Sequence, residues 1–171
     1  MHPSIHAVTH PDKPAVVMAD TGEIVTYAQM DAQSNQAAQY FRKQGLQTGD
    51  VLAFMLENDP LYYGLLWGAH RAGLHYVCLS TKLTEDEAGY IIENSGARLL
   101  VVSASLAKLA SSFIAPADRY AIGGDLPGFK RWENAVATMP IARVADETAG
   151  ASMLYSSGTT GRPKEIGRAH V

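Results

Sequence analysis

The chain has 171 residues, 47% of them apolar and 18% charged, and a formal net charge of −3. That length and balance exclude a disordered or collagen-like polypeptide and fit one ordinary domain, able to bury roughly 70% of the surface its unfolded form exposes. Fourteen basic against seventeen acidic residues leave no basic patch for nucleic acid, and the single cysteine, Cys78, excludes an internal disulfide or a multi-thiolate zinc site. No apolar run reaches the ~18 residues of a transmembrane segment, and Met1 to Val17 carries histidines and prolines where a signal peptide has an apolar core. The expectation is a soluble, cytoplasmic protein, with peripheral membrane association left open.

In chain order, Ala15 to Met18 and Ile24 to Thr26 are β-branched stretches around Asp20-Thr21-Gly22, which predicts a hairpin. Thr26 and Gln29 have capping-box spacing, Ala37, Ala38 and Phe41 recur with helical period, and Gly45 stands where a left-handed cap ends a helix. Val51 to Met55 reads as a buried strand. Asp59-Pro60 predicts a helix start, with Leu61, Leu65, Leu66 and Ala69 on its apolar face and Gly73 at its end. His75 to Leu79 is the next strand. Thr84 and Glu87 form a second capping box, followed by an apolar face of Ala88, Ile91 and Ile92 and a stop at Gly96. Leu99 to Val102 is a third strand, with a weaker helix over Leu106 to Phe113.

The strand starts at 51, 75 and 99 are 24 residues apart. That is the spacing of crossover units in a parallel sheet, and no leucine-rich signature supports a solenoid instead. Beyond Pro116, Tyr120 to Ile122 reads as a strand, Trp132 to Ala137 as a short helix, Ala145 to Gly150 as a linker and Ala151 to Tyr155 as a last strand. The fold class is α/β, a partly parallel sheet flanked by helices.

The last strand runs into Ser156-Ser157-Gly158-Thr159-Thr160-Gly161-Arg162-Pro163-Lys164. Two glycines allow a tight turn whose N–H groups converge on an anion, and four hydroxyls add donors that can also meet a phosphate-bound magnesium ion. Lys164 adds a full positive charge, and Pro163 stiffens its approach. The residues read as a polyphosphate cradle at a strand end, against the alternative of a plain Ser/Gly linker. The common P-loop is excluded, because Gly161 is followed by Arg162 and Lys164 by Glu165.

This loop resembles the phosphate-binding motif of the adenylate-forming (AMP-binding) enzymes: acyl-CoA synthetases, firefly-type luciferases and peptide-synthetase adenylation domains. His10-Pro11-Asp12-Lys13-Pro14-Ala15, Thr26-Tyr27, Gly45-Leu46, Gly49-Asp50-Val51, Arg71-Ala72-Gly73, Tyr76-Val77 and Glu93-Asn94-Ser95-Gly96-Ala97 look like further landmarks in family order. Ser80-Thr81-Lys82-Leu83-Thr84 is more similar to acyl- or aryl-CoA synthetases than to peptide-synthetase domains. The resemblance implies the truncated N-terminal part of an AMP-forming acyl-CoA synthetase (fatty-acid–CoA ligase), joining a carboxylic acid to ATP, releasing pyrophosphate and passing the acyl group to coenzyme A.

By the same resemblance, Ser156, Ser157, Gly158, Thr159, Thr160 and Gly161 hold the β- and γ-phosphates, Thr160 lies near Mg2+, and Lys164 neutralises the departing pyrophosphate. The catalytic residues are expected in later sequence, with the adenine-stacking segment and the C-terminal domain. The chain alone is therefore expected to be inactive, with its phosphate loop lacking the strand that should follow it. Two alternatives stay open: an adenylate-forming enzyme that loads a carrier protein, and a short non-catalytic nucleotide- or partner-binding protein. Neither acyl substrate nor oligomeric state is readable.

The implied organisation is residues 1–164 as an incomplete AMP-binding domain ending at the loop, and 165–171 as a non-native tail. Glu165-Ile166-Gly167-Arg168-Ala169-His170-Val171 can be encoded by GAGATCGGAAGAGCACACGTC, which apart from its first base matches a widely used sequencing-library adapter. The alternative is an ordinary charged tail.

Other residues carry blander expectations. His2, His6 and His10 have the spacing of helical metal ligands, but Pro3 and Pro11 favour a solvated N-terminal arm. His75 and Cys78 are expected in the core, Tyr62, Tyr63 and Trp67 against the sheet, and Glu85, Asp86 and Glu87 in a first helical turn, where carboxylates complement the helix dipole.

Overall fold

A computed structural model of the chain describes residues 2–110, 118–156 and 164–168. It begins with a helix rather than a solvated arm: α1 spans Ser4–Thr9, with Pro3 at its N-cap. Both prolines are compatible with it, Pro3 because a helix start has no use for its missing N–H and Pro11 because it lies beyond the last turn. The helix is too short to align the three histidines, and among the described residues no group of His, Cys, Asp or Glu could hold a metal.

His2 instead packs against α3 (Tyr62–Arg71), its ring 4.8 Å from Trp67 and 5.9 Å from His70. Burial first, and then the neighbouring Arg71 charge, lower His2 to about 4 from 6.5. The folded state therefore binds fewer protons than the unfolded chain across that window. Docking of α1 is at full strength above pH 6.5 and is lost progressively as pH falls toward 4. Trp67 fluorescence should report the release between those limits, with Trp132 buried elsewhere and silent. Because burial also lowers His70, 5.4 Å from the Trp67 ring, His2→Phe should reduce the transition to the part His70 carries.

The predicted hairpin forms as β1 (Pro14–Val17) and β2 (Ile24–Thr26), antiparallel, with Gly22 at φ +73° in its turn. Thr26 then caps α2 (Tyr27–Lys43): its hydroxyl accepts from the Gln29 N–H, and the Gln29 side chain accepts from the Thr26 N–H at 2.8 Å. At the far end Gly45, at φ +77°, lets the Leu46 N–H reach back to the Phe41 carbonyl at 3.1 Å.

Helix α3 begins two residues later than the proline suggested. Asp59 and Pro60 form a turn before it, in which the Asp59 carboxylate accepts from the Leu61 N–H at 2.8 Å. The Thr84–Glu87 capping box opens α4 (Glu85–Ser95), and Gly96 closes it in the left-handed conformation.

The strands β3 (Val51–Met55), β4 (His75–Cys78), β5 (Leu99–Ser103), β6 (Asp118–Ile122), β7 (Lys130–Arg131), β8 (Ala151–Ser156) and β9 (Lys164–Arg168) form one sheet in the order β7-β6-β5-β3-β4-β8-β9. Six run parallel, and β9 alone is antiparallel to its neighbour. The full burial of β3 and β5 matches their continuous apolar runs, as expected of strands covered on both faces. Leu52, Phe54, Leu99, Val101, Tyr120 and Ile122 face α2, α3 and α6 (Trp132–Val136). Ala53, Met55, Leu100, Val102 and Ala121 face α4 and the short α5 (Ala107–Ala110). The weaker helix expected over Leu106 to Phe113 is thus α5 after a tight turn at Ala104–Leu106, and 111–117 lie outside the described residues.

Candidate functional site

The approach to β8 is set by side chains of α2 and α3. Residues 137–150 carry no helix or strand and cross from α6, beside β6, to the far side of β4. A run without helix or strand needs partners for its carbonyls, and α2 provides several of them from one face. The Gln36 amide donates to the Met139 carbonyl at 3.2 Å, the Gln39 amide to Ala142 at 2.9 Å, and Arg42 to the Asp146 carboxylate at 3.0 Å. Val144 is buried beneath them in the core.

Helix α3 takes over where α2 ends. The His70 carbonyl accepts from the Gly150 N–H at 2.7 Å, the Arg71 carbonyl from the Thr148 N–H at 3.1 Å, and the Leu74 carbonyl from the Ala151 N–H at 3.2 Å. The Arg71 side chain is fully buried. It donates to the Asp31 carboxylate at 2.7 Å and to the Asn35 side-chain carbonyl, and faces Glu147 at 3.7 Å. The sequence reading missed this set. The spacing of Gln36, Gln39 and Arg42 along one helical face was a signal for it, as was an arginine in step with Gly64 and Gly68.

So delivered, β8 pairs in parallel with β4 (His75↔Ala151, Val77↔Met153) and ends at the carboxyl edge of the sheet, where ligands of open α/β sheets bind. The Tyr155 hydroxyl donates to the Asn94 side chain at 2.8 Å and anchors that end to α4. β9 returns antiparallel with Ser156 opposite Lys164, so the first and last residues of the expected cradle are cross-strand partners. Ser157, Gly158, Thr159, Thr160 and Gly161 lie between them, outside the described residues. The donor set by residue type (glycine N–H groups, hydroxyls and one ammonium) fits a polyphosphate carrying a hard, oxygen-seeking cation.

Two expectations are corrected here. The loop does have a following strand, because Lys164–Arg168 pairs with β8 through backbone hydrogen bonds that do not depend on side-chain identity. Cys78 is exposed rather than in the core, and His75 is half-buried. Cys78 lies on the sheet face where Leu154 is also 53% exposed. Desolvation of its sulfur still pushes the thiol up, and burial does the same to the neighbouring Tyr62 hydroxyl, so neither offers a nucleophile near neutral pH. Tyr62 is half-buried while Tyr63 stands 47% exposed.

Residues 4–170 match the AMP-binding enzyme family. The chain is 31% identical over 98% of its length to the fatty acid–[acyl-carrier-protein] ligase ScoC of Streptomyces coeruleorubidus, and spans 32% of that relative. It is 31% identical over 85% of its length to a 3-hydroxybenzoate–CoA/4-hydroxybenzoate–CoA ligase of Thauera aromatica, spanning 30% of it. The inhibitor-bound N-terminal domain of FACL13 from Mycobacterium tuberculosis superposes over 96% of the chain with a TM-score of 0.84 at 25% identity, and 42% of that domain is covered. No helix among the described residues is long and apolar enough to cross a membrane. A parallel sheet whose outer strand feeds a Ser/Thr/Gly/Lys loop at its carboxyl edge, matched along nearly the whole chain, makes this chain a member of the AMP-binding enzyme family, covering an N-terminal part of the adenylate-forming fold.

Proposed function

We propose that the chain is the N-terminal part of an AMP-forming acid–thiol ligase, and that Ser156 to Lys164 form its polyphosphate site. The observation that carries this reading is the run Ser-Ser-Gly-Thr-Thr-Gly-Arg-Pro-Lys between a parallel strand and its antiparallel return at the ligand-binding edge of the sheet. In the complete enzyme a carboxylate oxygen attacks the α-phosphorus of ATP, the bond to the β-phosphate breaks, and pyrophosphate leaves. A thiolate then attacks the acyl-adenylate carbonyl and displaces AMP.

The residues of this chain act on the first step. Ser156, Ser157, Gly158, Thr159, Thr160 and Gly161 hold the β- and γ-phosphates through N–H and hydroxyl donors. Lys164 meets the negative charge that grows on the leaving pyrophosphate, where a preorganised cation contributes most. Thr160 offers a hydroxyl to Mg2+, which when bound neutralises the same phosphates. Coenzyme A is the favoured thiol. A carrier-protein thiol is the second reading, supported by the acyl-carrier-protein ligase among the relatives.

In the complete reading frame, Lys164→Ala should slow pyrophosphate-exchange activity by about 10²–10³-fold with the fold retained. An unchanged rate overturns the role given to Lys164. The chain spans about a third of its curated relatives, and alone it should form no acyl-CoA. Residues 165–171 we read as adapter-derived. Sequencing the source locus across the Lys164 codon should then show a Gly, Ala or Val codon after it, and a natural Glu codon there would overturn that origin.

A further inference from the structure

We infer that Arg71 and Glu147 are positioning residues, whose contact sets where β8 lies on the sheet and so where it places Ser156, the first residue of the proposed phosphate site. The inference rests on the phosphate-binding reading of that loop. Arg71 holds the approach to β8 in two ways at once. Its carbonyl accepts from the Thr148 N–H at 3.1 Å, and its side chain faces Glu147 at 3.7 Å. The guanidinium is wholly buried, and its other nitrogens are taken by Asp31 and Asn35 of α2. Nε alone is buried with no hydrogen-bond partner, and the carboxylate toward it is Glu147. A buried guanidinium is costly to leave under-compensated, so Glu147 is drawn inward and the chain around it is fixed.

Residues 137–150 form no helix or strand, and near the sheet backbone bonds to His70, Arg71 and Leu74 hold the segment; the Arg71–Glu147 contact is the side-chain ion pair added to them. Glu147 lies four residues before β8, and Ala72 bridges to Thr148 in between. A displacement at Glu147 is therefore passed along the strand to its carboxyl end. Glu147 itself is 28% exposed and pairs outward with Arg143 at 3.8 Å, so its removal opens no core cavity.

Amide hydrogen exchange on the 171-residue chain tests this. Glu147→Ala should accelerate exchange at Thr148, Gly150, Ala151 and Met153 by about 10-fold, with less than about twofold change in β3 and β5. Glu147→Gln keeps an oxygen for Nε and should return those amides to within about threefold of the parent. Inorganic pyrophosphate should protect residues 151–156 of the parent, and Glu147→Ala should weaken that protection by about 10-fold in apparent Kd.

Uniform acceleration across all strands, or none at all, overturns the inference, as does a Gln variant indistinguishable from Ala. Local acceleration without any pyrophosphate protection of the parent supports the hold on β8 and overturns the phosphate reading instead.

Discussion

Gly150→Ala is expected to lower the unfolding free energy by about 3 kcal/mol, out of proportion to one added methyl group. Gly150 sits where the approach to β8 passes over the end of α3. A Cβ there would lie 2.1 Å from the Leu74 carbonyl oxygen and 2.9 Å from the Leu74 nitrogen. Both are backbone atoms, so no side-chain rotation relieves the overlap. The Leu74 carbonyl already accepts from the Ala151 N–H, and Gly150 donates to the His70 carbonyl, so the strand cannot shift without breaking both bonds.

For a chain of this size the loss amounts to about 6–12 °C in Tm. Gly96→Ala is the control. Nothing lies within 4 Å of its added Cβ, but its φ of +68° is strained for alanine, which costs about 1–2 kcal/mol. Calorimetry of the two variants checks the ordering. A Gly150 variant as stable as the Gly96 variant would mean that β8 is loosely docked on β4.

Features whose cause is local were legible in the sequence. Both capping boxes, the glycine stops at Gly45, Gly73 and Gly96, and the three strands spaced by 24 residues each depend on residues within one or two turns of one another. The family was legible for a similar reason, since the motif from Ser156 to Lys164 resides in the order of glycines, hydroxyls and lysine. What escaped were features decided by partners distant in sequence. Strand β7 is two residues long and exists because β6 offers it an edge, with Tyr120 opposite Lys130. Helix α1 was obscured by its flanking prolines and is placed by packing of His2 on Trp67. Cys78 has the sequence context of a core residue, yet it is exposed, on a face where Leu154 is exposed too.

The Arg71 junction is the most instructive miss. Gly64 and Gly68 let α2 and α3 approach so closely that a Cβ on Gly68 would lie 2.5 Å from that of Ala37. Arg71, one turn further on, is thereby enclosed between Asp31, Asn35 and Glu147. In the sequence it stands in the Arg71-Ala72-Gly73 landmark, with nothing local to mark it as buried. Only the helix contact encloses it and turns it toward Glu147 on the approach to β8.

Trp132→Ala is expected to have the larger effect on stability, about 4 kcal/mol. The indole is 2% exposed and lies edge-on to Tyr40 at 5.6 Å and to Tyr120 at 5.7 Å, with Phe41 tilted against it at 5.7 Å. These rings join α2, β6 and α6, and edge-to-face pairs add about 0.5–1.5 kcal/mol beyond the area they bury. Removing the indole opens a cavity lined by rigid aromatics, which relax poorly into it. It also exposes the Tyr40–Tyr120 hydroxyl pair, 2.8 Å apart, whose buried setting holds the Tyr120 hydroxyl well above the ordinary phenol range.

The second tryptophan gives the comparison. Trp67 is half-buried between His2 and His70, so Trp67→Ala should cost about 1–2 kcal/mol and leave the sheet intact. Because α6 leads directly into the segment that α2 clamps through Gln36 and Gln39, loss of Trp132 should also loosen residues 137–150 before global unfolding. Urea titrations of the two variants, read by circular dichroism and by amide exchange in that segment, separate the outcomes. If Trp132→Ala proves no more damaging than Trp67→Ala, then the aromatic cluster does not carry the contact between α2 and the sheet, and the clamp on the β8 approach must draw its rigidity from the Arg71 side alone.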